Sequence, residues 1–484
     1  MGRRYTQSQL ERAIEQATAP LLKRIEALEQ RVDQLQHENN RLHRENNQLQ
    51  RENAQLKKNS ATSSKPPSSD IVKPPKTTAK GKASGGGKAK RKHGGQPGHD
   101  KHERQMFTPD EVDHAYTYEW PDTGELIPLD DWHVVQQVEL VDKPFIVTEH
   151  RARKYRCPRT GRIVVAPLPE EVTAAGLVGP RLSAWIAYLK GNCRMSYALI
   201  HEMLNDVMAL HLSTGQLCKV VGKVSDALAP AYGQLLDALP QQDHLGVDET
   251  GHKDSGQRMW TWCFLAEDFV VYRIMGSRGS EVLRDTLGEA FAGVLNCDYF
   301  SAYRKYEQQI PGWVQFCMAH LIRDVKYLTT LTDRWVRGWA EKLLDAIGKM
   351  FRTYHRASKL TAKGFERAML KARDRILKIG KRPPRGRAEA QALADRFRKH
   401  GREYFTFLFR PGAEPTNNLT EQALRFVVLD RKLTQGTRGE KGQRRCERIW
   451  SVLQTCRQQQ RSAYTFIADA VRAHFMGRTS PLLL

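Results

Sequence analysis

The order of strand and helix patterns between residues 244 and 328 constrains the fold of this chain more than any other feature. Three apolar runs come first, separated by the turn sequences GHKDSG and ED; the runs are HLGVDET, RMWTWCFLA and FVVYRIM. A helical pattern, a strand pattern and a run that begins as a strand and turns helical follow: SEVLRDTLGEAF, GVLNCDYF and WVQFCMAHLIRDVKYL. β-Branched and aromatic residues bounded by turn formers indicate strands, and apolar residues three and four apart indicate helices. This order predicts an α/β sheet that begins with a three-stranded meander.

Two aspartates occupy matching places in this pattern. Three strands, a helix, a strand, a helix and a strand form the element order of an RNase H-like sheet, in which the first and fourth strands are neighbours. Asp248 lies within the first predicted strand and Asp298 at the end of the fourth, so both carboxylates can reach one point at the sheet surface. Glu249 is an alternative to Asp248, but side chains alternate along a strand and the two point to opposite faces. We prefer Asp248.

A third carboxylate is expected from a helix that follows the sheet. Glu421 lies in the first turn of the amphipathic segment TNNLTEQALRFVVLDRK. Asn418 and Glu421 also have the spacing of a capping box, which would stabilise the helix without any metal, and the two interpretations stay open. Arg425, one turn later, would orient Glu421 through an i,i+4 pair or contact a phosphate.

Three carboxylates brought together predict a site for hard cations. Such oxygen ligands suit Mg²⁺ or Mn²⁺, and two of these ions activate the attacking oxygen of a phosphodiester reaction and stabilise the leaving one. The predicted ligands are Asp248, Asp298 and Glu421.

A heptad repeat marks the N-terminal part of the chain. Apolar d positions recur every seven residues, at Ile14, Leu21, Leu28, Leu35, Leu42, Leu49 and Leu56. The a positions are Ile25, Val32, Asn39, Asn46 and Asn53. Leucine at d with β-branched residues or Asn at a favours a parallel two-stranded coiled coil, so we expect a homodimer or higher oligomer formed through this segment.

The charge of the chain calls for a polyanionic partner. Lys and Arg number 77 against 54 Asp and Glu, a net charge of +23, and nucleic acid is the leading candidate. A generally solvated surface is the alternative. The candidate DNA-binding residues are Lys88, Lys90, Arg91, Lys92, Arg425, Arg431, Lys432 and Arg438.

These patterns predict a multidomain α plus α/β protein. Three short helical patterns before the sheet, with Ser196 and Ser213 as N-caps, form either a helix-turn-helix or a plain connector. The predicted segments are a coiled coil (10–58), a disordered basic linker (59–105), a strand-rich module (106–170), a helical segment (171–238), a catalytic domain (239–430) with a helical insertion at about 325–410, and a C-terminal basic helical region (431–484).

Hydropathy and cysteine usage point to the cytoplasm. No run of eighteen or more uncharged apolar residues and no secretory signal pattern occurs, so neither a membrane nor export is expected. Eight cysteines, scattered singly without a CxxC pair, suggest reduced thiols. We expect a cytoplasmic, nucleoid-associated protein.

Several motifs resemble those of the insertion sequence 66 family of transposases, which use an Asp-Asp-Glu metal triad. In family order they are SSKPPSSD, GGQPGH, VDET with Asp248, DYFSAY with Asp298, CMAH from Cys317 to His320, and TNNLTEQALR with Glu421. The resemblance implies an RNase H-like catalytic domain with a helical insertion, the three carboxylates as catalytic metal ligands, and cleavage of transposon ends followed by joining to target DNA. Companion transposition proteins are further candidate partners.

The chain departs from this family in its cysteines. Members often carry a four-cysteine zinc module before the catalytic domain, whereas the sequences WPDTG and CPRTG leave only Cys157 of the four ligands. Structural zinc needs all four, so the strand-rich module is expected to be zinc-free. Cys317 and His320 could bind zinc, but with no second pair in reach we favour a structural role, and no zinc is expected.

Two other functions fit parts of the sequence. An RNase H-like nuclease that does not join strands would use the same three carboxylates and the same metal. A noncatalytic DNA-binding regulator, dimerised by the zipper, would use the helices near Ser196 to Ala227.

Overall fold

The computed structural model describes residues 18, 24, 28, 30–42, 45, 46, 48, 106–118, 134–138, 140, 141 and 144–484. Residues 30–42 are helical, and the leucine stripe along them is exposed in the single chain, with Leu35 and Leu42 each 53% accessible. Most of the predicted coiled coil and the whole basic linker lie outside the described residues. Pairing of two chains through this stripe stays a prediction.

A five-stranded mixed sheet lies at the centre of the structure. Its strands are β3 (His244–Asp254), β4 (Gln257–Leu265), β5 (Val270–Met275), β6 (Val294–Cys297) and β7 (Trp313–Phe316), and their spatial order is β5-β4-β3-β6-β7. The first three are antiparallel, whereas β6 and β7 run parallel to β3. The predicted meander and the predicted contact between the first and fourth strands are both confirmed.

The first hairpin is longer than the sequence predicted. GHKDSG was interpreted as a turn, but pairing continues to Asp254 and Gln257, so the turn is only Ser255 and Gly256. Both have positive φ, 50° and 84°, the conformation that matches the twist of two strands joined by a two-residue loop. Buried His252 lies in the added part, where its ring bonds the hydroxyls of Thr261 and Thr437.

Helices precede the sheet, separate its later strands and follow it along the chain. Before it come α1 (Glu170–Ala175), α2 (Pro180–Gly191), α3 (Tyr197–Met208), α4 (Thr214–Ala227), α5 (Ala229–Ala238) and a 3-10 turn (Leu239–Gln241). Within it come α6 (Ser280–Leu287) and α7 (Ser301–Glu307). After it come α8 (Met318–Leu328), α9 (Arg334–Tyr354), α10 (Ala362–Gly380), α11 (Ala388–His400), α12 (Asn418–Thr434), α13 (Glu440–Gln458) and α14 (Ala463–Phe475), with 3-10 turns at Ala357–Lys359 and Glu403–Leu408.

The helices before the sheet share a core with the last two helices of the chain. Ser196 and Ser213 cap α3 and α4 as predicted, accepting bonds from the backbone N–H of Leu199 at 3.0 Å and Gln216 at 3.2 Å. A Cβ at Gly191 of α2 would lie 2.6 Å from Ile449 of α13, so the glycine permits this close helix crossing. The N-terminal helices therefore form one packed unit with α13 and α14.

Side chains of α13 cover the free edge of β5. Glu447, Ser451 and Thr455 accept hydrogen bonds from alternate backbone N–H groups of that strand, at 2.6, 2.9 and 3.1 Å. The donors are Ile274, Tyr272 and Val270 respectively. An exposed row of N–H groups would otherwise invite pairing with another chain. We call these three side chains the edge cover.

The described residues between 106 and 170 contain fewer strands than predicted. Among its described residues the strands are β1 (Lys154–Arg156) and β2 (Ile163–Val165), and described residues 134–138 and 144–152 form no ladder. Val135, Leu140 and Ile146 are at least three-quarters exposed, so no neighbouring strand covers the apolar side chains of these described residues. Among the described residues of this region the single hairpin is the strand structure found, and a larger strand-rich module stays a prediction.

Two further expectations concern membranes and disulfides. Within the described part of the chain, no helix combines the length and apolar character needed to cross a membrane. All eight cysteines are free thiols, as the sequence predicted.

Candidate active site

Asp248 and Asp298 lie at the same level of neighbouring strands. Gly246 of β3 pairs with Asn296 of β6. Asp248 lies two residues after Gly246, and Asp298 lies two residues after Asn296. The Asp248 carboxylate accepts a bond from the backbone N–H of Glu249 at 2.9 Å, and that of Asp298 from Phe300 at 2.8 Å. Parallel strands carry both carboxylates to one edge of the sheet.

The start of α12 is fixed directly on β3. The Asn417 side chain donates to the carbonyl of Val247 at 2.9 Å, and the Thr420 hydroxyl donates to Asn417 at 2.6 Å. A Cβ at Gly246 would lie 2.1 Å from the Thr420 hydroxyl, so only glycine permits this approach. The contact places Glu421 beside the two aspartates.

Glu421 does not form the capping box that its spacing suggested. The helix begins at Asn418 with Asn417 before it, and the Glu421 carboxylate turns to α8. Both carboxylate oxygens lie 3.2 Å from the Arg323 guanidinium, and one lies 3.6 Å from His320 Nε2. Arg425 is exposed and is not among these partners, so the predicted i,i+4 pair is also wrong. A cation from a distant helix takes the place of both local partners.

The site concentrates negative charge. Burial raises the pKa of the Asp248 carboxyl well above its usual range, and Glu249, Asp298 and Glu421 raise it further. Burial and Asp298 also raise the pKa of Glu249, against the lowering effect of Arg278. Carboxylates that repel one another in this way are a good fit for a divalent cation, which would remove the repulsion.

Glu249 is occupied by other partners. Its buried carboxylate forms an ion pair with Arg278 at 2.5 Å and accepts a hydrogen bond from the Tyr303 hydroxyl. Arg278 in turn stacks 3.9 Å from the ring centroid of Phe300, which fixes the turn that holds Asp298. These contacts favour Asp248 over Glu249 as the ligand, as strand alternation suggested.

A second group of ligand types adjoins the carboxylates. One donor atom each from Cys317, His320 and Glu421 lies within 4.8 Å of the others, which makes this a group able to hold a metal among the described residues. Burial lowers the pKa of His320, which favours the neutral imidazole. The atoms of Asp248, Asp298 and Glu421 are not grouped as tightly in this structure.

Comparison with known proteins identifies the family. The family model described as transposase IS66 family matches residues 175–445, more than half of the chain. The chain belongs to the IS66 transposase family. The match spans all five strands of the central sheet, Asp248, Asp298, Cys317, His320 and Glu421.

Relatives of this IS66 family protein carry little functional information. Residues 10–105 match a model described as a family of unknown function. The uncharacterized protein y4hP of Sinorhizobium fredii is 22% identical over 378 residues, 70% of this chain and 67% of the relative. A second uncharacterized protein of that organism, y4qI, is 23% identical over 362 residues, 66% of this chain and 64% of the relative.

The predicted DNA-binding residues of the IS66 family protein fall into two groups. Lys88, Lys90, Arg91 and Lys92 lie outside the described residues. Arg425, Lys432 and Arg438 are exposed, and half-buried Arg431 donates to the Thr250 hydroxyl at 3.1 Å, two residues beyond Asp248. The loop carrying Arg438 is fixed to the first hairpin because Asp254 accepts bonds from Thr437 and Gly439 at 2.7 and 2.8 Å.

Sequence reasoning missed Arg323 and the contacts of His320. Arg323 follows His320 by three residues, so one helical turn puts both on the same face of α8. That spacing was a readable signal. Their shared partner Glu421 is 98 residues from Arg323, and no local pattern indicates such a contact.

Proposed function

We propose that this IS66 family protein is a DNA transposase that cleaves transposon ends and joins them to target DNA. Asp248, Asp298 and Glu421 would hold Mg²⁺ or Mn²⁺. The observation that supports the proposal is that Asp298, at the end of β6, and Glu421, at the start of α12, are near enough to Asp248 of β3 to raise the pKa of its buried carboxyl, on a sheet with RNase H-like strand order.

The protein's own groups position the reactants. When bound, the metal ions would activate an attacking oxygen and stabilise the leaving one. The bond from Phe300 N–H orients the Asp298 carboxylate at the end of β6, and the Asn417 and Thr420 contacts fix the start of α12, which carries Glu421, against β3. Arg323 forms an ion pair with Glu421 at 3.2 Å and would give up that contact if the carboxylate bound a cation.

Basic groups around the site would bind the DNA backbone. Arg425 and Lys432 are exposed on α12, the helix that also carries Glu421, and Arg438 is exposed in the loop after it. Such contacts position the duplex without reading its sequence, and binding should weaken steeply with salt. Pairing of two chains through the N-terminal heptads would bring two transposon ends together in the cytoplasm, at the nucleoid.

Glu421→Gln tests the third ligand. We expect cleavage of DNA carrying the element's ends to fall at least about a hundredfold, because the neutral amide is a poor ligand for a hard cation. Gln422→Glu, at the exposed neighbouring position, is the matched control and should cut normally. Full cleavage by a folded Glu421→Gln protein would remove this residue from the site.

A labelled-end assay separates transposase from nuclease. Purified protein with Mg²⁺ should convert a labelled transposon end into a covalent product with unlabelled target DNA. Cleavage without any joined product under the same conditions would favour the nuclease. Loss of both reactions after metal chelation, and their return on adding Mg²⁺, is expected in either case.

A further inference from the structure

Cys317, His320 and Glu421 form a compact group on one side of the carboxylate site. Cys317 is 1% exposed and lies between β7 and α8, His320 is 6% exposed in the first turn of α8, and Glu421 comes from α12. Their donor atoms all lie within 4.8 Å of one another. Nδ1 of His320 is buried without a hydrogen-bond partner in the described structure.

The donor set differs in kind from that of the three carboxylates. A thiolate, an imidazole and a carboxylate are the ligands of Zn²⁺ and other borderline-soft cations, whereas Mg²⁺ takes oxygen alone. Three protein ligands leave a fourth position to water. Bonds of about 2.0 to 2.3 Å place tetrahedral ligands about 3.5 Å apart, so the group needs to close by roughly an ångström.

We propose that Cys317, His320 and Glu421 bind a borderline-soft divalent cation such as Zn²⁺. This departs from the expectation, made from the sequence, that the chain binds no zinc. A consequence rests on the proposed function: this cation and the cations held by the aspartates would compete for Glu421, so Zn²⁺ would inhibit DNA cleavage by withdrawing the third ligand.

Two neighbouring groups adjust when the cation enters. Arg323 lies 3.2 Å from the Glu421 carboxylate and 3.4 Å from His320 Nε2, and its side chain, a quarter exposed, can swing to solvent. The Cys317 thiol must lose its proton, since burial raises its pKa to about 11. The backbone N–H of Asn417, 3.2 Å from the sulfur, remains to stabilise the thiolate that forms.

Cobalt provides a direct test on the full-length, metal-free protein. Co²⁺ replaces Zn²⁺ in such sites, and a thiolate ligand gives a sulfur-to-cobalt charge-transfer absorption band. We expect the band to saturate at one Co²⁺ per chain and to be absent from Cys317→Ser. Serine retains an acceptor for the Asn417 N–H, so the fold should survive. Cys456→Ser, which changes a buried cysteine of α13, is the control and should keep the band.

Two ligand variants extend the test to the other donors. Glu421→Gln and His320→Asn should keep Cys317 available but weaken Co²⁺ binding at least about tenfold. These two variants also test the metal site if Cys317→Ser fails to fold. The proposal is overturned if the wild-type protein shows no band, if Cys317→Ser keeps it, or if both other variants bind Co²⁺ as tightly as the wild type.

Inhibition is measured separately from binding. In Mg²⁺ buffer, added Zn²⁺ should lower wild-type cleavage at least about tenfold, while Cys317→Ser keeps most of its own zinc-free rate. Equal inhibition of both proteins would contradict the regulatory consequence. If the protein shows the cobalt band but never cuts DNA, the proposed function is wrong and the metal site stands. If the protein cuts DNA in an Asp248-dependent way but shows no cobalt band, the metal site is wrong and the proposed function stands.

Discussion

Asp248→Asn is expected to abolish DNA cleavage while stabilising the metal-free protein. Cleavage should fall by about a thousandfold or more, because the substitution removes an anionic ligand from the proposed metal site. The free energy of unfolding without metal should rise by about 0.5 to 2 kcal/mol, since the variant no longer places a carboxyl where burial first, and then Glu249 and Asp298, disfavour its charge. A loss of cleavage together with a gain in the stability of the metal-free protein is the result expected for a site that binds a cation.

The stability gain should depend on pH in a defined direction. The pKa of the Asp248 carboxyl is higher in the folded state than in the unfolded chain. The contribution of this carboxyl to the free energy of unfolding is therefore fully present at a pH below the ordinary carboxyl range, where it is protonated in both states, and is lost as the pH rises through the folded-state pKa. Asparagine cannot ionise. The difference between variant and wild type should therefore be largest near neutral pH and shrink on acidification.

Both effects can be measured with one matched control. Cleavage is followed on DNA carrying the element's ends with Mg²⁺, and unfolding is followed by denaturant titration in chelator between pH 5 and 8. Asp268→Asn, at the exposed turn between β4 and β5, removes the same charge away from the site and should change neither quantity. Normal cleavage by Asp248→Asn would remove Asp248 from the proposed metal site, whereas wild-type protein that binds DNA and never cleaves it would favour the noncatalytic regulator.

Glu447→Ala should produce the largest loss of stability among the edge-cover substitutions. Glu447 is fully buried, accepts the Ile274 N–H at 2.6 Å and forms an ion pair with Arg444 at 3.0 Å. Alanine leaves a buried N–H unsatisfied and a cavity beside it, a cost of about 2 to 4 kcal/mol. Equilibrium denaturation with urea measures the difference.

Glu440→Ala is the control for the Glu447 prediction. Glu440 faces the same Arg444 at 3.8 Å, but its side chain is 79% exposed. An exposed pair on a helix contributes little, so the change should cost less than about 0.5 kcal/mol. Equal losses for the two variants would show that charge on α13 matters and that the bond to β5 does not.

Much of the fold and part of the candidate site followed from local patterns. Apolar alternation and turn residues gave the strand order, and the adjacency of the first and fourth strands then predicted that Asp248 and Asp298 meet. Ser196 and Ser213 were predictable because an N-cap bonds a group three residues away. The full length of the first hairpin was not predictable because its outer part is polar and the buried His252 contacts Thr437 and Trp450, which lie far along the chain.

The remaining features depend on partners far apart in the chain. The spacing of Asn418 and Glu421 is typical of a capping box, yet the Glu421 carboxylate contacts Arg323 and His320 of a distant helix and does not form the cap. Glu447 resembles any helical glutamate in the sequence, and only the strand 173 residues earlier explains its burial. Local rules therefore predict which elements form, while the chemical surroundings of a buried charge require the tertiary structure.

The edge cover also has a geometric basis in the two repeat lengths. Four residues of helix rise about 6.0 Å and two residues of strand about 6.6 Å, so positions 447, 451 and 455 advance in step with 274, 272 and 270. A single residue inserted into either series would rotate the helix by about 100° or flip the strand, and the two rows would lose step. Glu, Ser and Thr at four-residue intervals of α13 thus match alternate residues of β5. Relatives should tolerate substitutions in these two segments far better than insertions or deletions.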